Sequence, residues 1–199
     1  MGGNRVFLIR HGQSEGNVQN IIVSDPAVGV NRFGLTDVGK AQAKHAGERL
    51  KELLASEPDL AGRTILVTSD FRRTRETAEI IHSELAVRAP LKTDCGLWER
   101  NMGYLDMKSG DVADALWARD LQDPSHTYYG NESVLDVMER MRGALQRQCG
   151  EHNGAIILLV THGDPALILR GAFLGVAPEN IRNQVPHFDN CDIVELVSN

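Results

Sequence analysis

Near the N-terminus the apolar run Val6-Phe7-Leu8-Ile9 ends in Arg10-His11-Gly12. Far downstream, Ala155-Ile156-Ile157-Leu158-Leu159-Val160 leads through Thr161 into His162-Gly163. An imidazole can attack phosphorus, an adjacent guanidinium can bind two phosphate oxygens at once, and a glycine lets the backbone approach an anion closely. Arg10-His11-Gly12 therefore reads as a phosphate pocket around a nucleophilic histidine. A lone histidine at a strand end more often bonds a neighbouring carbonyl. Here two histidines share one context, and Arg10 would be costly to bury without an anion.

Both runs are short and rich in β-branched residues, which puts both histidines at strand C-terminal ends, the edge where open α/β sheets bind ligands. The pattern predicts a strand over 5–10, a loop to about residue 35, and a helix of roughly 36–55 capped by Thr36, with Val38, Ala41, Leu50, Leu53 and Leu54 on its apolar side. A strand over 64–68 then turns through Ser69-Asp70 into a helix carrying Arg73, with Ala78, Ile81 and Leu85 at core spacing. Further strands are expected at about 91–95, 155–160 and 192–197, and helices near 111–121 and 133–148 and from Asp164-Pro165 onward. The expected fold class is α/β: three layers, α/β/α, with a mostly parallel central sheet, helices on both faces and an inserted lid. A single domain over 1–199 with its lid at about 100–132 accounts for the length, since 199 residues suffice for one substantial core.

Spacing separates three arginines on the second helix. Arg72 has Glu76 and Arg75 has Glu79 four residues on, pairs contributing roughly 0.3 to 0.5 kcal/mol each. Arg73 has Thr77 there instead, which leaves its guanidinium less committed, with Glu76 at i+3 as a competitor. From the residues alone a phosphate role and a surface role for Arg73 stand level.

The balance of 21 Lys and Arg against 27 Asp and Glu gives a net charge of -6, which argues against nucleic acid or anionic membrane as partner. Cys95, Cys149 and Cys191 are odd in number and widely spaced, suggesting neither a disulfide framework nor a zinc knuckle. No apolar stretch near the N-terminus is long enough for a signal peptide or a membrane span, so a cytoplasmic location is expected. His45, His82, His126, His152 and His187 show no metal-ligand spacing, and of these only His126 is a candidate to touch substrate.

The blocks Arg10-His11-Gly12-Gln13-Ser14 with Asn17, Leu35-Thr36 with Gly39 and Gln42-Ala43, Ser69 through Ala78, Leu97-Trp98-Glu99-Arg100 with Gly103, and His162-Gly163 run in order along nearly the whole chain. In that order they resemble the histidine phosphatase superfamily, also called the phosphoglycerate-mutase-like family. The resemblance implies that Arg73 is a second pocket arginine, Glu99 the proton donor and His162 the second histidine. Asn17 would donate to a phosphoryl oxygen, with Gly163 and Arg100 as further substrate contacts. Without the resemblance, Glu99 beside Arg100 reads equally as a surface ion pair and Asn17 as a turn residue.

The chemistry then implied is a phosphoryl transfer to His11, aided by Glu99 as acid, followed by hydrolysis of the phosphohistidine, with Arg10, Arg73, His162 and Asn17 holding the oxygens. No metal or other cofactor is called for. The expected activity is a metal-independent phosphatase acting on small phosphomonoesters. The alternative is a cofactor-dependent phosphoglycerate mutase, because Glu99-Arg100, Gly103 and Leu105 resemble the mutase version of their block. Against it, the resemblance implies that the family's cofactor-dependent mutases are longer, with an extra basic insertion and a C-terminal tail, both of which this chain is expected to lack. A non-catalytic protein that binds phosphorylated ligands ranks below both. Expected partners are a small phosphorylated substrate and neither nucleic acid nor membrane, with a homodimer left open.

Within 101–130, Asp106, Asp111, Asp114, Asp120 and Asp123 face only Lys108 and Arg119, so the lid is expected to repel polyanions. Its Met102, Tyr104, Met107, Trp117, Tyr128 and Tyr129 either line a pocket for an apolar leaving group or pack the lid's own helix.

Overall fold

A computed structural model describes residues 3–85 and 90–196. Five strands, β1 (Arg5–Arg10), β2 (Thr64–Thr68), β3 (Leu91–Thr93), β4 (Ile156–Thr161) and β5 (Ile193–Glu195), form one sheet in the order β3-β2-β4-β1-β5. The first four run parallel, and β5 closes the edge antiparallel to β1. Val197, the end of the expected last strand, lies outside the described residues.

Strand side chains alternate between two cores, as a period of two requires when both faces of a sheet are covered. Val6, Leu8, Val67, Ile157 and Leu159 pack on one side with α4 (Val134–Glu151) and α5 (Gly163–Phe173). Phe7, Ile9, Leu66, Ile156, Leu158 and Val160 pack on the other with α1 (Asp37–Ala55) and α2 (Arg72–Leu85). The three-layer α/β/α arrangement follows.

Helix α1 starts where expected, with the Thr36 side chain accepting from the Gly39 amide. Its buried face matches the expected one at Leu50 and Leu54 and differs from it toward the N-terminus. Val38 is 55% exposed and Ala41 is exposed, while Gly39, Ala43, Ala46, Gly47, Leu50 and Leu54 are buried. The reason is close approach to α2: a Cβ on Gly47 would lie 2.7 Å from the Glu84 Cβ, so small residues carry the close-contact part of the stripe, with Leu50 and Leu54 beyond it. On α2, Arg72 does pair with Glu76 at 2.7 Å, but Arg75 turns away from Glu79 and donates to the Val30 carbonyl at 3.1 Å.

The expected loop between β1 and α1 contains one-turn helices at Glu15–Val18 and Pro26–Gly29. The 101–130 segment holds α3 (Ala113–Asp120) and its own small core of Met102, Leu105 and Leu116. It is fastened to that loop by Asp106, which accepts from the Ser24 amide, the Ser24 hydroxyl and the Asp25 amide. No helix among the described residues is long and apolar enough to cross a membrane.

Candidate active site

Register brings the site together. β1 and β4 pair with Arg10 opposite Thr161, and β2 and β4 pair with Thr68 opposite Val160, so His11, His162 and Ser69 emerge side by side at the C-terminal edge. The chain leaves β1 through a tight corner. A Cβ on Gly12 would sit 2.5 Å from the Gly39 carbonyl oxygen, so only glycine lets this backbone lie against the first turn of α1. The Gly12 amide donates to the Thr77 hydroxyl at 3.1 Å, which ties the corner to the helix that carries Arg73.

His11 is buried, and its ring lies 5.3 Å from that of His162, edge to face. Its Nδ1 lies 2.7 Å from the Gly12 carbonyl oxygen, a contact that requires a proton on Nδ1 and leaves the lone pair on Nε2. Arg73 Nε donates to that Nε2 at 3.0 Å. Burial, then the neighbouring Arg73, holds both His11 and His162 well below the usual imidazole range, so both rings are neutral at neutral pH. Burial also lowers the Arg73 guanidinium to about 10, partly opposed by Glu99.

Glu99 reaches in from the turn after β3. Its Oε2 lies 3.4 Å from Arg73 Nη2 and 3.6 Å from His162 Nδ1, while Oε1 accepts from the Arg100 amide. Burial raises its carboxyl above the usual range, against the pull of Arg73 and with help from Asp164. Arg10 is braced by the Phe188 carbonyl, to which its Nη1 donates at 2.5 Å. Arg10 Nε, Arg73 Nη1 and His162 Nδ1 are buried polar atoms with no hydrogen-bond partner among the described residues.

These groups surround a cavity of about 330 Å³ lined by Arg10, His11, Asn17, Arg73, Glu99 and Gly163, among others. Asn17 is held by the Ser14 capping box, with its Oδ1 accepting from the Ser14 amide and hydroxyl, which leaves its Nδ2 for a ligand. His162 sits a layer deeper, fully buried behind the lining, with Nε2 3.0 Å from the Ser69 hydroxyl. Among the described residues no group of three or more His, Cys, Asp or Glu is placed to hold a metal ion.

Two sequence expectations are corrected. Arg100 does not touch the cavity: it is wholly buried, bound through Nη1 and Nη2 to Asp120 at 2.6 and 2.8 Å, because a buried guanidinium takes the nearest carboxylate that matches its fork. His126 is buried against the same Asp120 at 2.9 Å and does not line the cavity. Nor do the acids of the 101–130 segment face the ligand space. Asp106 holds Ser24, Asp111 holds Asn20 and Ser109, Asp120 holds Arg100, and Asp123 holds Ser125. Of the aromatic and methionine residues there, Met102 and Trp117 line the cavity, whereas Tyr104 and Tyr128 are 77% and 71% exposed.

Sequence reasoning missed Ser69, Asp164, Arg182, His187 and Asp189. Ser69 ends a strand as the two histidines do, a signal that was available. The pairing of Asp164 with Arg182 had no local signature.

A model of the histidine phosphatase superfamily (branch 1) matches residues 6–199. A protein of Proteus mirabilis called "Probable phosphoglycerate mutase GpmB" is 32% identical over 176 residues, covering 86% of this chain and 71% of that one. Its namesake in Erwinia tasmaniensis is 31% identical over 194 residues, covering 95% and 82%. Among solved structures, Bacillus stearothermophilus YhfR superimposes with a TM-score of 0.78 at 26% identity, covering 96% of this chain and 90% of that one. A mycobacterial glucosyl-3-phosphoglycerate phosphatase in complex with VO3 shares the fold with a TM-score of 0.77 at 24% identity and the same coverage. Ordered motifs, sheet topology and a match over nearly all of its length agree, and the chain belongs to the histidine phosphatase superfamily.

Proposed function

We propose that this enzyme hydrolyses small phosphomonoesters through a phosphohistidine on His11. The observation that carries the reading is the state of His11: Nδ1 held by the Gly12 carbonyl, Nε2 turned to the Arg73 guanidinium, and buried donors of Arg10 and Arg73 left without partners. Buried donors without partners cost stability, on the order of 1 to 3 kcal/mol each, and an arriving phosphoryl group would recover it.

Substrate would displace the Arg73 hydrogen bond from Nε2, and Arg73 would transfer its donors to the phosphoryl oxygens. Nε2 then forms the P–N bond as the ester P–O bond breaks, and Glu99 in its protonated form gives its proton to the departing oxygen. In the second step water attacks phosphorus, the P–N bond breaks and Glu99 accepts the water's proton. Arg10, Arg73 and Asn17 would stabilise the equatorial oxygens, the charge work that dominates phosphoryl transfer, while His162, behind the lining, would support Glu99 from 3.6 Å. Burial of Glu99 suits it to begin protonated.

A phosphoglycerate mutase is the second reading, favoured by the names of the relatives at 31 and 32% identity. One assay separates the two: phosphate release from p-nitrophenyl phosphate, sugar phosphates and phosphoglycerates with EDTA present, alongside 2-phosphoglycerate formation. Release that survives EDTA and falls at least about four orders of magnitude in His11→Ala is expected. Rapid isomerisation of 3-phosphoglycerate with little release would replace the phosphatase with the mutase.

A further inference from the structure

Ser69 follows β2, opens the turn into α2 and is wholly buried. Its Oγ accepts from the Phe71 amide at 3.3 Å and lies 3.0 Å from His162 Nε2, and among the described residues the hydroxyl has no other hydrogen-bond partner. The Phe71 amide is a donor, so the hydroxyl's own proton has one place to go, the lone pair on Nε2. Burial and the neighbouring Arg73 keep the His162 ring neutral. A neutral imidazole that accepts at Nε2 carries its proton on Nδ1, the nitrogen that lies 3.6 Å from Glu99 Oε2.

The opposite tautomer is worse on two counts. An Nε2–H donated to Ser69 would leave the buried serine proton without an acceptor, and it would turn the Nδ1 lone pair toward Glu99. That lone pair would repel the ionised carboxylate and would offer the protonated one a base to hold its proton. The ring is confined while this choice is made, with the Phe71 and His11 rings edge to face against it at 4.9 and 5.3 Å between centroids. Ser69 is confined as well: its amide donates to the Val160 carbonyl at 3.0 Å, and its carbonyl accepts from the Thr68 and Thr74 hydroxyls at 2.9 Å each.

We propose that Ser69 is a positioning residue that fixes His162 as the Nδ1–H tautomer, which makes His162 a donor toward Glu99 and denies it the proton that Glu99 must deliver. Arg73, Arg10, Arg140 and Asp164 are the charged groups around the Glu99–His162 pair, and none of them bonds Nδ1. The serine hydroxyl is therefore what decides which ring nitrogen is protonated. The catalytic consequence rests on the hydrolase reading, whereas the tautomer does not depend on turnover.

Heteronuclear NMR of enzyme labelled at its histidine nitrogens reads the tautomer directly. Wild type is expected to show Nδ1–H at His162, and Ser69→Ala should populate the Nε2–H form. In the same variant kcat for an alkyl phosphate should fall about tenfold or more with KM little changed, and kcat for p-nitrophenyl phosphate far less, since that leaving group needs no proton. Its alkaline limb should move to higher pH, because the Glu99 carboxylate loses a donor that favoured its ionised form. Ser69→Thr, which restores the hydroxyl, should return both the limb and the tautomer. An Nε2–H form in wild type, or equal slowing of the two esters in Ser69→Ala with the limb unmoved, would overturn the proposal. A serine-dependent Nδ1–H tautomer in an enzyme that releases phosphate from no ester would remove the hydrolase reading and leave the role of Ser69 at His162 standing.

Discussion

Arg73 and Arg100 are both buried arginines, yet they do opposite things. Arg100 gives Nε to the Glu132 carbonyl and both Nη groups to Asp120, which also bonds His126, and Asn131 closes the network through the His126 and Glu132 carbonyls. Arg73 meets one nitrogen lone pair, one carbonyl and a carboxylate at 3.4 Å, and keeps Nη1 unpartnered. The electrostatics follow the partners: burial lowers both, Asp120 with Asp164 and Glu132 more than offsets this for Arg100, and Arg73 ends at about 10. Burial alone does not mark a functional arginine. Free donors that border a cavity do, because a ligand there can satisfy them.

Exchanging the two losses is the sharpest way to break this comparison. Arg100→Ala leaves Asp120 charged and buried with His126 as its remaining partner and no guanidinium, and should cost about 3 to 5 kcal/mol in urea unfolding. Arg73→Met removes a poorly compensated buried charge, so stability should stay within about 1 kcal/mol of wild type. Its kcat/KM should nevertheless fall about two to three orders of magnitude. If Arg73→Met were the more destabilising of the two, the assignment of scaffold and ligand roles would be reversed.

A smaller effect sharpens the chemistry at the free-donor end. Glu99 has to be protonated for the first step, so activity should fall as pH rises through its raised carboxyl pKa, while the lowered pKa of His11 keeps the nucleophile neutral well into the acid range. Glu99→Gln should remove the alkaline limb. It should slow an alkyl phosphate by about two orders of magnitude or more and p-nitrophenyl phosphate far less, since a good leaving group needs no proton. Equal slowing of both esters would take the acid role away from Glu99.

The free-donor region was legible in sequence and the satisfied one was not. Arg10, His11 and His162 announce themselves because each is joined to a strand by one or two covalent steps, and strand register does the rest. The run Val6-Phe7-Leu8-Ile9 read only as an apolar strand, and its division between two cores appears once both faces of the sheet are seen to be covered. Arg100 misled because its partner Asp120 lies on another element, and nothing in the spacing reveals a contact made through tertiary packing. The one-turn helices at Glu15–Val18 and Pro26–Gly29 are too short for a periodic pattern, although Ser14 and Asp25 are ordinary caps. The stripe of glycine and alanine on α1 was hidden because residues there are chosen for closeness rather than hydrophobicity.

Asp164 touches both regions, through Arg182 in the cavity wall and Arg100 in the satisfied network, and so tests whether they are separable. Burial would raise its carboxyl, but Arg182 and Arg100 outweigh burial and hold it below its ordinary value. A carboxyl whose pKa is lower in the folded than in the unfolded chain adds stability above its unfolded pKa, and that stability is lost as pH falls through the folded value. Wild type should therefore exceed Asp164→Asn by about 2 kcal/mol near neutral pH, the scale of a charged hydrogen bond. The two should converge between about pH 5 and about pH 1. If the variant also loses the protection of Arg100 backbone amides in hydrogen exchange, the wall and the network form one cooperative unit. If protection there is kept, Asp164 belongs to the cavity, and the lining on that side can vary without disturbing the scaffold beneath it.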